Sequence, residues 1–437
     1  MDEFTHPLAY ARSQRGLTGP DLAREIRARA ALRGLRSGTD KQRVRKWEVL
    51  GVTPDSDTQY DIAAIFGVPA AEVDPADWPR WLHPTEADVV PLGPSSTVPA
   101  LREALNSNMD RRAFLTVSGT ALTGLAATWA IAGPVALGPS VIDGKSVGGE
   151  LVTMLEQSTK RLSSVATEQR QHLATLLDAH LATVTDLIEH ARYDKPTGCR
   201  LHALAASLAQ TVAWHRFDHG QHTQATKHWV AALHSTHATG DHDMGAAMLG
   251  DLAYQAAWRK DHTTAAGILT HALTRTEHPA AQSLLHLRLA RTLAAQGEKR
   301  ETLRALNAAE NLLGASTSRP LPTWCSWMSA ADLAVDSGQC LLDLGDTARA
   351  HQLIAEGRDL LPAARDKTRG VFLAYQAASH LKSKEPELAA RTADEALRLA
   401  RRIGAPRCEK LVQDLVPEFE RVRTAEGVND LLMLVSA

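Results

Sequence analysis

Apolar residues recur three and four positions apart through most of this chain, which is the period of α-helices that bury one face. Residues 1–73 predict short helices, and residues 150–437 predict one helix after another. Residues 74–149 predict a linker that carries an apolar segment. Prolines in the first half of the linker disfavour long helices there: Pro75, Pro79, Pro84, Pro91, Pro94 and Pro99.

The C-terminal part contains an internal repeat, defined by small residues at fixed offsets. In each copy, eleven residues separate the first small residue from the second, and six separate the second from the third. Small side chains at these sites let paired helices cross closely, where larger ones would force them apart. The copies are Ala213, Ala225, Ala232; Ala253, Ala265, Ala272; Ala290, Thr302, Ala309; Gly338, Ala350, Gly357; and Ala377, Ala389, Ala396.

These offsets resemble the tetratricopeptide repeat over residues 201–407. The middle small residues are 40, 37, 48 and 39 positions apart, whereas the family period is about 34 residues. The longer period predicts longer loops. The resemblance implies a C-terminal α-solenoid, and residues 150–193 supply one or two further helices able to cap it.

Composition supports an all-α fold and divides the chain by charge. Hydrophobic residues make up 44% of the chain and aromatic residues 5%, so the apolar content is mostly Ala and Leu, both strong helix formers. Residues 12–46 hold eleven Arg or Lys against three acids, a local charge of +8, although the whole chain is at -2. A basic N-terminal segment on an otherwise acidic chain indicates nucleic-acid binding.

Helix start signals are clear within this basic end. Thr18 and Asp21 form a capping box at the start of one helix. Asp40, with the preceding threonine, can cap a second helix over Lys41–Leu50. A third helix is predicted over Thr58–Phe66, closed by the glycine that follows it.

The residues Val44, Trp47-Glu48, Ile62 and Phe66-Gly67-Val68 resemble the Cro/lambda-repressor-type helix-turn-helix, the XRE family, over about sixty residues. The resemblance implies that the Lys41–Leu50 helix enters the major groove of double-stranded DNA and that Trp47 is a core residue. Side chains expected at base edges are Lys41, Gln42, Arg43 and Arg45; those expected near phosphates are Arg15, Thr18 and Lys46.

The chain departs from the XRE pattern in the distance along the sequence between Leu22 and Trp47, which is longer than in the family. Leu22 and Trp47 are 25 positions apart, and the intervening Arg27–Gly38 stretch carries four arginines. This stretch either extends the second helix or forms a wing that contacts the DNA backbone.

Residues 113–137 are uncharged and follow the pair Arg111-Arg112. The arrangement resembles a twin-arginine export signal, and the length suffices for a membrane anchor. The segment is, however, rich in Thr and Gly, and it lies behind a folded domain. We therefore favour a helix that docks within the fold and expect no membrane contact.

No catalytic, metal or cofactor site is predicted. The cysteines are far apart and lack metal-ligand spacing, which is typical of a reduced, cytoplasmic protein: Cys199, Cys325, Cys340 and Cys408. His215, His219 and His222 could bring two imidazoles toward a metal, but Gly220 places a turn between them. Asp241 and Asp243 are interpreted as helix-capping residues rather than as a catalytic pair.

In tetratricopeptide arrays the first helix of each pair lines the concave groove. In the register above, the outward positions predicted to bind a ligand are Gln210, Trp214, Tyr254, Arg291 and Gln339. They suit a peptide or a small-molecule effector. The alternative is that Trp214 and Tyr254 pack on helices within residues 150–193.

The layout resembles bacterial peptide-sensing regulators that pair these two modules, and the resemblance implies a homodimeric transcription regulator; no enzyme is predicted. Residues 1–73 would read DNA, residues 74–149 would link, and residues 150–437 would sense an effector or a protein partner. The alternatives are a repeat scaffold or a membrane-anchored sensor, each tethered to DNA without sequence preference.

Overall fold

The structure, a computed structural model, describes residues 7–14, 17–66, 68, 70, 73–79, 81–82, 89–93, 95–106, 117–133, 137, 140, 144–163, 165, 173–315, 320–322 and 324–436. These residues form helices and connecting loops, and no β-strand occurs among them. The all-α prediction is therefore confirmed for this part of the chain. Contacts divide the chain into two compact units: Met1–Val89 with Ser107–Ala121, and Val90–Asn106 with Leu122–Ala437.

The first unit is built on four helices: α1 (Pro7–Gln14), α2 (Gly19–Leu32), α3 (Lys41–Leu50) and α4 (Ser56–Phe66). Each helix contributes apolar residues to one buried cluster, because its inward positions are three or four apart. The cluster includes Leu8, Leu22, Ile26, Val44, Trp47, Ile62 and Phe66. The prediction that Trp47 is a core residue is confirmed, and Val44 is buried in the same cluster.

The starts of α2 and α3 are those that the sequence predicts, whereas α4 begins at Ser56, two residues before the predicted Thr58. The Thr18 side chain accepts a hydrogen bond from the Asp21 backbone, and the Asp21 carboxylate accepts one from the Thr18 backbone. Asp40 caps α3 by accepting hydrogen bonds from the backbone amides of Gln42 and Arg43 at 3.0 and 2.9 Å. Gly51 ends α3 at φ 65, a conformation that favours glycine. The predicted glycine cap after α4 lies outside the described residues.

The arginine-rich insertion both extends α2 and stabilises the loop that follows it. Helix α2 continues through Arg27 to Leu32, and residues 33–40 form the loop to α3. The Arg27 guanidinium donates a hydrogen bond to the Thr39 carbonyl. Arg33 reaches α4, where it pairs with Asp61 at 3.0 Å. Two of the four arginines therefore have structural contacts in this unit.

The described residues of the linker form the α-helices α5 (Thr97–Leu105) and α6 (Gly119–Ile131). The sequence pattern does not predict α5, since prolines are frequent there. Pro99 is nevertheless tolerated, because it lies in the first turn, where its missing N–H would have no intrahelical partner. Helix α5 packs in the second unit, where Ser96 Oγ lies 2.7 Å from His234 Nδ1.

Helix α6 docks against the repeat helices through a fully buried Trp129. A Cβ atom on Gly245 would lie only 2.8 Å from Trp129 Nε1, so this contact requires glycine. Arg275 donates hydrogen bonds to the carbonyls of Trp129 and Ala132 and thereby caps the C-terminus of α6. The described part of segment 113–137 therefore docks within the fold, as the sequence analysis favours. Residues 107–116, which include the arginine pair, lie outside the described residues.

Across the described ranges, no helix combines the length and hydropathy needed to cross a membrane.

The second unit continues as consecutive helices, and most of the loops between them are short, which makes those neighbours antiparallel. In the described part of the chain before the repeats lie α7 (Gly149–Ser163) and α8 (Ala174–His190). The repeat pairs are α9 (Lys195–Asp218) with α10 (His222–Thr239), α11 (His242–Trp258) with α12 (His262–Leu273), α13 (Pro279–Ala295) with α14 (Lys299–Leu313), α15 (Ala330–Asp343) with α16 (Thr347–Leu360), and α17 (Asp366–Lys382) with α18 (Pro386–Ile403). Three short helices follow: α19 (Pro406–Gln413), α20 (Val416–Glu420) and α21 (Val428–Ser436). The predicted longer loop lies between α14 and α15, where sixteen residues separate Leu313 from Ala330.

The small-residue register predicts these pairs correctly. In every copy the first small residue lies on the first helix and the other two on the second helix, and all fifteen are buried. Helix packing also connects the first helices of neighbouring pairs, from α11 to α17. The described residues 195–403 thus form a tetratricopeptide-like array of helix pairs, stacked one on the next.

Glycine is required where α15 and α16 approach most closely. A Cβ atom on Gly338 would lie 2.7 Å from Ile354 Cγ1 and 2.9 Å from the Ala350 carbonyl oxygen. A Cβ atom on Gly357 would lie 2.6 Å from the Ala331 carbonyl oxygen. All three distances are shorter than real Cβ contacts, so any other residue would push the two backbones apart.

Candidate functional site

The first helices of the repeat pairs, together with α19, line a groove of about 1890 Å³ in the second unit. Cavities that bind small molecules usually have volumes of about 300–1,000 Å³. The groove therefore has room for a ligand larger than a typical metabolite.

All the predicted ligand-binding residues lie on the wall of this groove: Gln210, Trp214, Tyr254, Arg291 and Gln339. They come from α9, α11, α13 and α15, and helical periodicity turns them to one side of the array.

Asp251 organises the wall between α9, α11 and α13. Its carboxylate accepts hydrogen bonds from Gln210 Nε2 at 2.9 Å and Trp214 Nε1 at 3.0 Å. The same carboxylate pairs with the Arg288 guanidinium at 2.8 Å, with both side chains at most 10% exposed. A buried carboxylate is stable only with such compensation, so Gln210 and Trp214 are held in place by Asp251.

The aromatic side chains of this wall pack mainly on one another. The Trp214 ring lies 5.6 Å from Phe217, 5.5 Å from Trp229 and 5.7 Å from Tyr254, between ring centroids. These contacts are made within the first two repeat pairs. One edge of Trp214 and Tyr254 still borders the groove.

Arg407 connects the last helices of the array to the first. Its Nε lies 2.9 Å from Asp218 Oδ1, and its Nη1 donates a hydrogen bond to the Tyr254 hydroxyl at 2.7 Å. Lys367 pairs with the same Asp218 carboxylate. Burial opposes ionisation of Asp218, but Lys367 and Arg407 outweigh it and lower its pKa. We call Asp218, Lys367 and Arg407 the clasp.

The groove side of α15 carries further ion pairs. Arg365 binds Asp332 through both terminal nitrogens, at 2.9 and 2.8 Å. Arg291 lies 3.1 Å from Asp343, which also accepts a hydrogen bond from Gln339 Nε2 at 2.9 Å. Gln339 and Arg291 therefore share one carboxylate.

The residues predicted to contact DNA lie on or near α3 in the first unit. Five are exposed on the surface of α3: Lys41, Gln42, Arg43, Arg45 and Lys46. Thr18 is also exposed, but its hydroxyl lies 2.5 Å from the Asp21 carboxylate. Arg15 lies outside the described residues.

The Trp47-Glu48 motif has a structural explanation. Trp47 is buried in the core, and Glu48 accepts two hydrogen bonds from Arg12 of α1, at 2.8 and 3.1 Å. The two residues hold α3 against α1 and leave the opposite side of α3 facing outward. Gln42, Arg45 and Val49 lie on that side at helical spacing, and Val49 is 65% exposed.

Sequence reasoning missed several residues of the groove, and only some of them carried a usable signal. Arg288 lies one turn before Arg291, and Asp336 lies one turn before Gln339, so the same register could have found both. Arg407 and Lys367 gave no such signal, because their contacts depend on the curvature of the whole array.

Among the described residues, no cluster of three or more His, Cys, Asp or Glu side chains is arranged to hold a metal ion. His215 and His219 stack at 4.3 Å between ring centroids, while His222 packs against Phe217. Asp241 caps α11 through the Met244 amide, which confirms its interpretation as a capping residue.

Comparison with known proteins identifies no family for this chain. No family model matches the chain, and no curated protein matches it. Among solved structures, the crystal structure of the APC/C hetero-tetramer Cut9-Hcn1 is similar at 13% identity and a TM-score of 0.31, over 98% of both chains. A similarity this low supports no argument about function, so the proposals below depend on the residues themselves.

Proposed function

We propose that this chain is a cytoplasmic, DNA-binding transcription regulator of the XRE helix-turn-helix type, and not an enzyme. In this proposal α3 reads the DNA sequence, and the groove of the repeat array binds an effector that shifts DNA affinity. Residues 1–73 are the DNA-binding domain, 74–149 the linker and 150–437 the sensing domain.

The observation that carries the proposal is the outward face of α3. Within the part of the chain that the structure describes, the side chains of Gln42, Arg45 and Lys46 have no hydrogen bond or ion pair. Gln can pair bidentately with adenine and Arg with guanine in the major groove. Arg12, Arg27 and Arg33 of the same unit, by contrast, have structural partners.

Specific binding further suggests a homodimer. A single small domain buries too little DNA surface for high affinity, whereas two copies can bind two half-sites about 34–36 Å apart. The proposal therefore predicts a palindromic operator.

The size and lining of the groove favour an extended effector, such as a peptide, over a small metabolite. Aromatic rings, amides and paired charges alternate along its wall, as is usual where a chain is bound along its length. By linkage, an effector that favours one DNA-binding state must bind that state more tightly.

The experiment is a selection of DNA by the intact chain from a pool of random duplexes, repeated with Gln42→Ala. We expect the intact chain to enrich a palindromic motif and the variant to relax the motif at one position in each half-site. Recovery of no motif by the intact chain would contradict the regulator proposal.

The second candidate is a scaffold that binds DNA without sequence preference. The surface of α2 favours it, since Arg24 and Arg29 are exposed and accessible to phosphates. This candidate predicts steeply salt-dependent binding with equal affinity for all duplexes. The selection therefore separates the two candidates.

A further inference from the structure

Helix α15 presents a line of carboxylates to the groove. Asp332, Asp336 and Asp343 are four and seven positions apart, which places them on one face of the helix, and all of them line the groove. The line begins two residues after the start of α15.

The three carboxylates differ in how closely an arginine approaches them. Arg365 binds Asp332 through two hydrogen bonds, and Arg291 lies 3.1 Å from Asp343. Arg291 is 3.7 Å from Asp336, beyond hydrogen-bond distance. Among the described residues, Asp336 makes no hydrogen bond.

The charge of Asp336 is compensated by cations that make no hydrogen bond to it. Burial raises the pKa of Asp336 to about 6; Arg291, at 3.7 Å, and Arg288 oppose this effect, and repulsion from Asp332 adds to it. The carboxylate is thus ionised at neutral pH, and its side chain is still 33% exposed toward the groove. A partly buried anion without a hydrogen bond is a strong acceptor for an incoming cation.

An apolar wall lies beside the start of the same helix. Trp324 and Trp327, in the loop that precedes α15, line the groove together with Leu284 and Leu287 of α13. Trp327 Nε1 donates a hydrogen bond to the Trp324 carbonyl at 2.7 Å, which holds the loop, while 44% of Trp327 stays exposed. An exposed Trp at the wall of a groove is a typical anchor for an apolar group.

We propose that Asp336 binds a protonated amine of the effector and that Trp327 contacts an apolar group of the same molecule. This inference rests on the proposed function of the groove as an effector site. Trp327 precedes the first residue of α15, and Asp336 lies about 9 Å along the helix from that residue, so we expect about three extended residues between the amine and the apolar group. The occupant is a peptide with a free amino group, in line with the size of the groove.

The test uses the full chain and two matched pools of random hexapeptides that contain no Lys, Arg or His. One pool has free amino termini and the other is N-acetylated, and spermidine is the small-amine probe. Retained peptides are quantified by mass spectrometry, and spermidine is titrated by the change in tryptophan fluorescence. We expect the chain to retain the free-amine pool at least tenfold better than the acetylated pool. Binding of spermidine without that difference between the pools would overturn the assignment to a peptide.

Variants connect that preference to one residue. Asp336→Asn should abolish the advantage of the amine, and Asp336→Glu should restore part of it. Asp359→Asn is the matched control, because Asp359 lies on α16 outside the groove and is 74% exposed. Trp327→Ala should weaken retention of peptides with an apolar residue near position three and leave the amine preference intact. Circular dichroism of each variant verifies its fold.

The possible outcomes separate this inference from the proposed function. Equal retention of both peptide pools, or an unchanged amine preference in Asp336→Asn, would overturn the inference. Neither result would contradict the proposal that the groove binds an effector. Failure of the chain to retain any peptide or amine would contradict the inference and the effector part of the proposal together. The DNA selection stays an independent test of the regulator.

Discussion

At the scale of residues, the groove wall depends on buried charges that hold its polar side chains in place. Asp251 accepts hydrogen bonds from Gln210 and Trp214 and pairs with Arg288. Helical periodicity predicted Gln210 and Trp214 as groove residues, because neighbours in a helix share a face. It did not predict Asp251 as their partner, since that contact joins two helices 41 positions apart in the sequence.

Asp251→Asn should destabilise the protein strongly. The substitution leaves the Arg288 guanidinium buried without a counter-charge, which typically costs about 3–5 kcal/mol in the free energy of unfolding. Urea denaturation followed by circular dichroism measures the change. Asp359→Asn, at an exposed position, should change stability by less than about 0.5 kcal/mol, and an equally small effect of Asp251→Asn would refute the role assigned to this carboxylate.

Buried histidines predict a loss of stability in acid. Burial lowers the pKa of His202, His228 and His234 from 6.5 to about 4. Between these values the unfolded chain takes up protons that the folded chain does not. The free energy of unfolding should therefore fall as pH decreases from 6.5 toward 4, and these groups should have no effect above that range.

Thermal melts across this pH range provide the measurement. His202→Met should reduce the slope of stability against pH, because one buried titrating group is removed. His190→Asn, at a side chain that is 68% exposed, should leave the slope unchanged. A slope that is the same in all three proteins would show that His202 is not a source of acid sensitivity.

At the scale of elements, the repeat pairs were the most predictable part of the fold. Small residues at fixed offsets identify helix pairs because close crossing is a local requirement that recurs in every unit. Helix α5 was not predictable from proline content, since one proline in a first turn is compatible with a helix. The docking of α6 depends on Gly245 and Arg275, which lie more than a hundred positions away in the sequence.

Gly338→Ala tests the close approach of α15 and α16. The added Cβ atom would meet Ile354 and the Ala350 carbonyl at under 3.0 Å, so overpacking should cost about 1–3 kcal/mol in the free energy of unfolding. The matched control is Gly314→Ala, where no heavy atom lies within 4 Å of the new Cβ. Equal denaturation midpoints for the two variants would contradict the account of this interface.

At the scale of the whole molecule, the clasp distinguishes this array from an open solenoid. In open solenoids each repeat contacts only its neighbours, and the ends unfold independently. Here Asp218 of the first repeat pair binds Lys367 of the fifth and Arg407 of the helix beyond it. This contact could not be predicted from the sequence, because it depends on small rotations summed over every pair.

Arg407→Gln should therefore loosen the C-terminal helices more than it lowers global stability. Hydrogen exchange should speed up at least tenfold in α18 and α19 and remain nearly unchanged in α11. Arg398→Gln is a suitable control, since Arg398 is 68% exposed and pairs only within α18 among the described residues. Uniform acceleration across the array would indicate a general loss of stability instead of an opened clasp.

Sequence-specific DNA binding by α3 is the central claim. Its most direct test is the affinity of the intact chain and of Gln42→Ala for the selected operator and for a scrambled duplex, at one fixed salt concentration. We predict that the intact chain prefers the operator by about 1,000-fold or more. Gln42→Ala should bind the operator about tenfold more weakly and the scrambled duplex equally well. An equal loss on both duplexes, or no preference in the intact chain, would contradict the account.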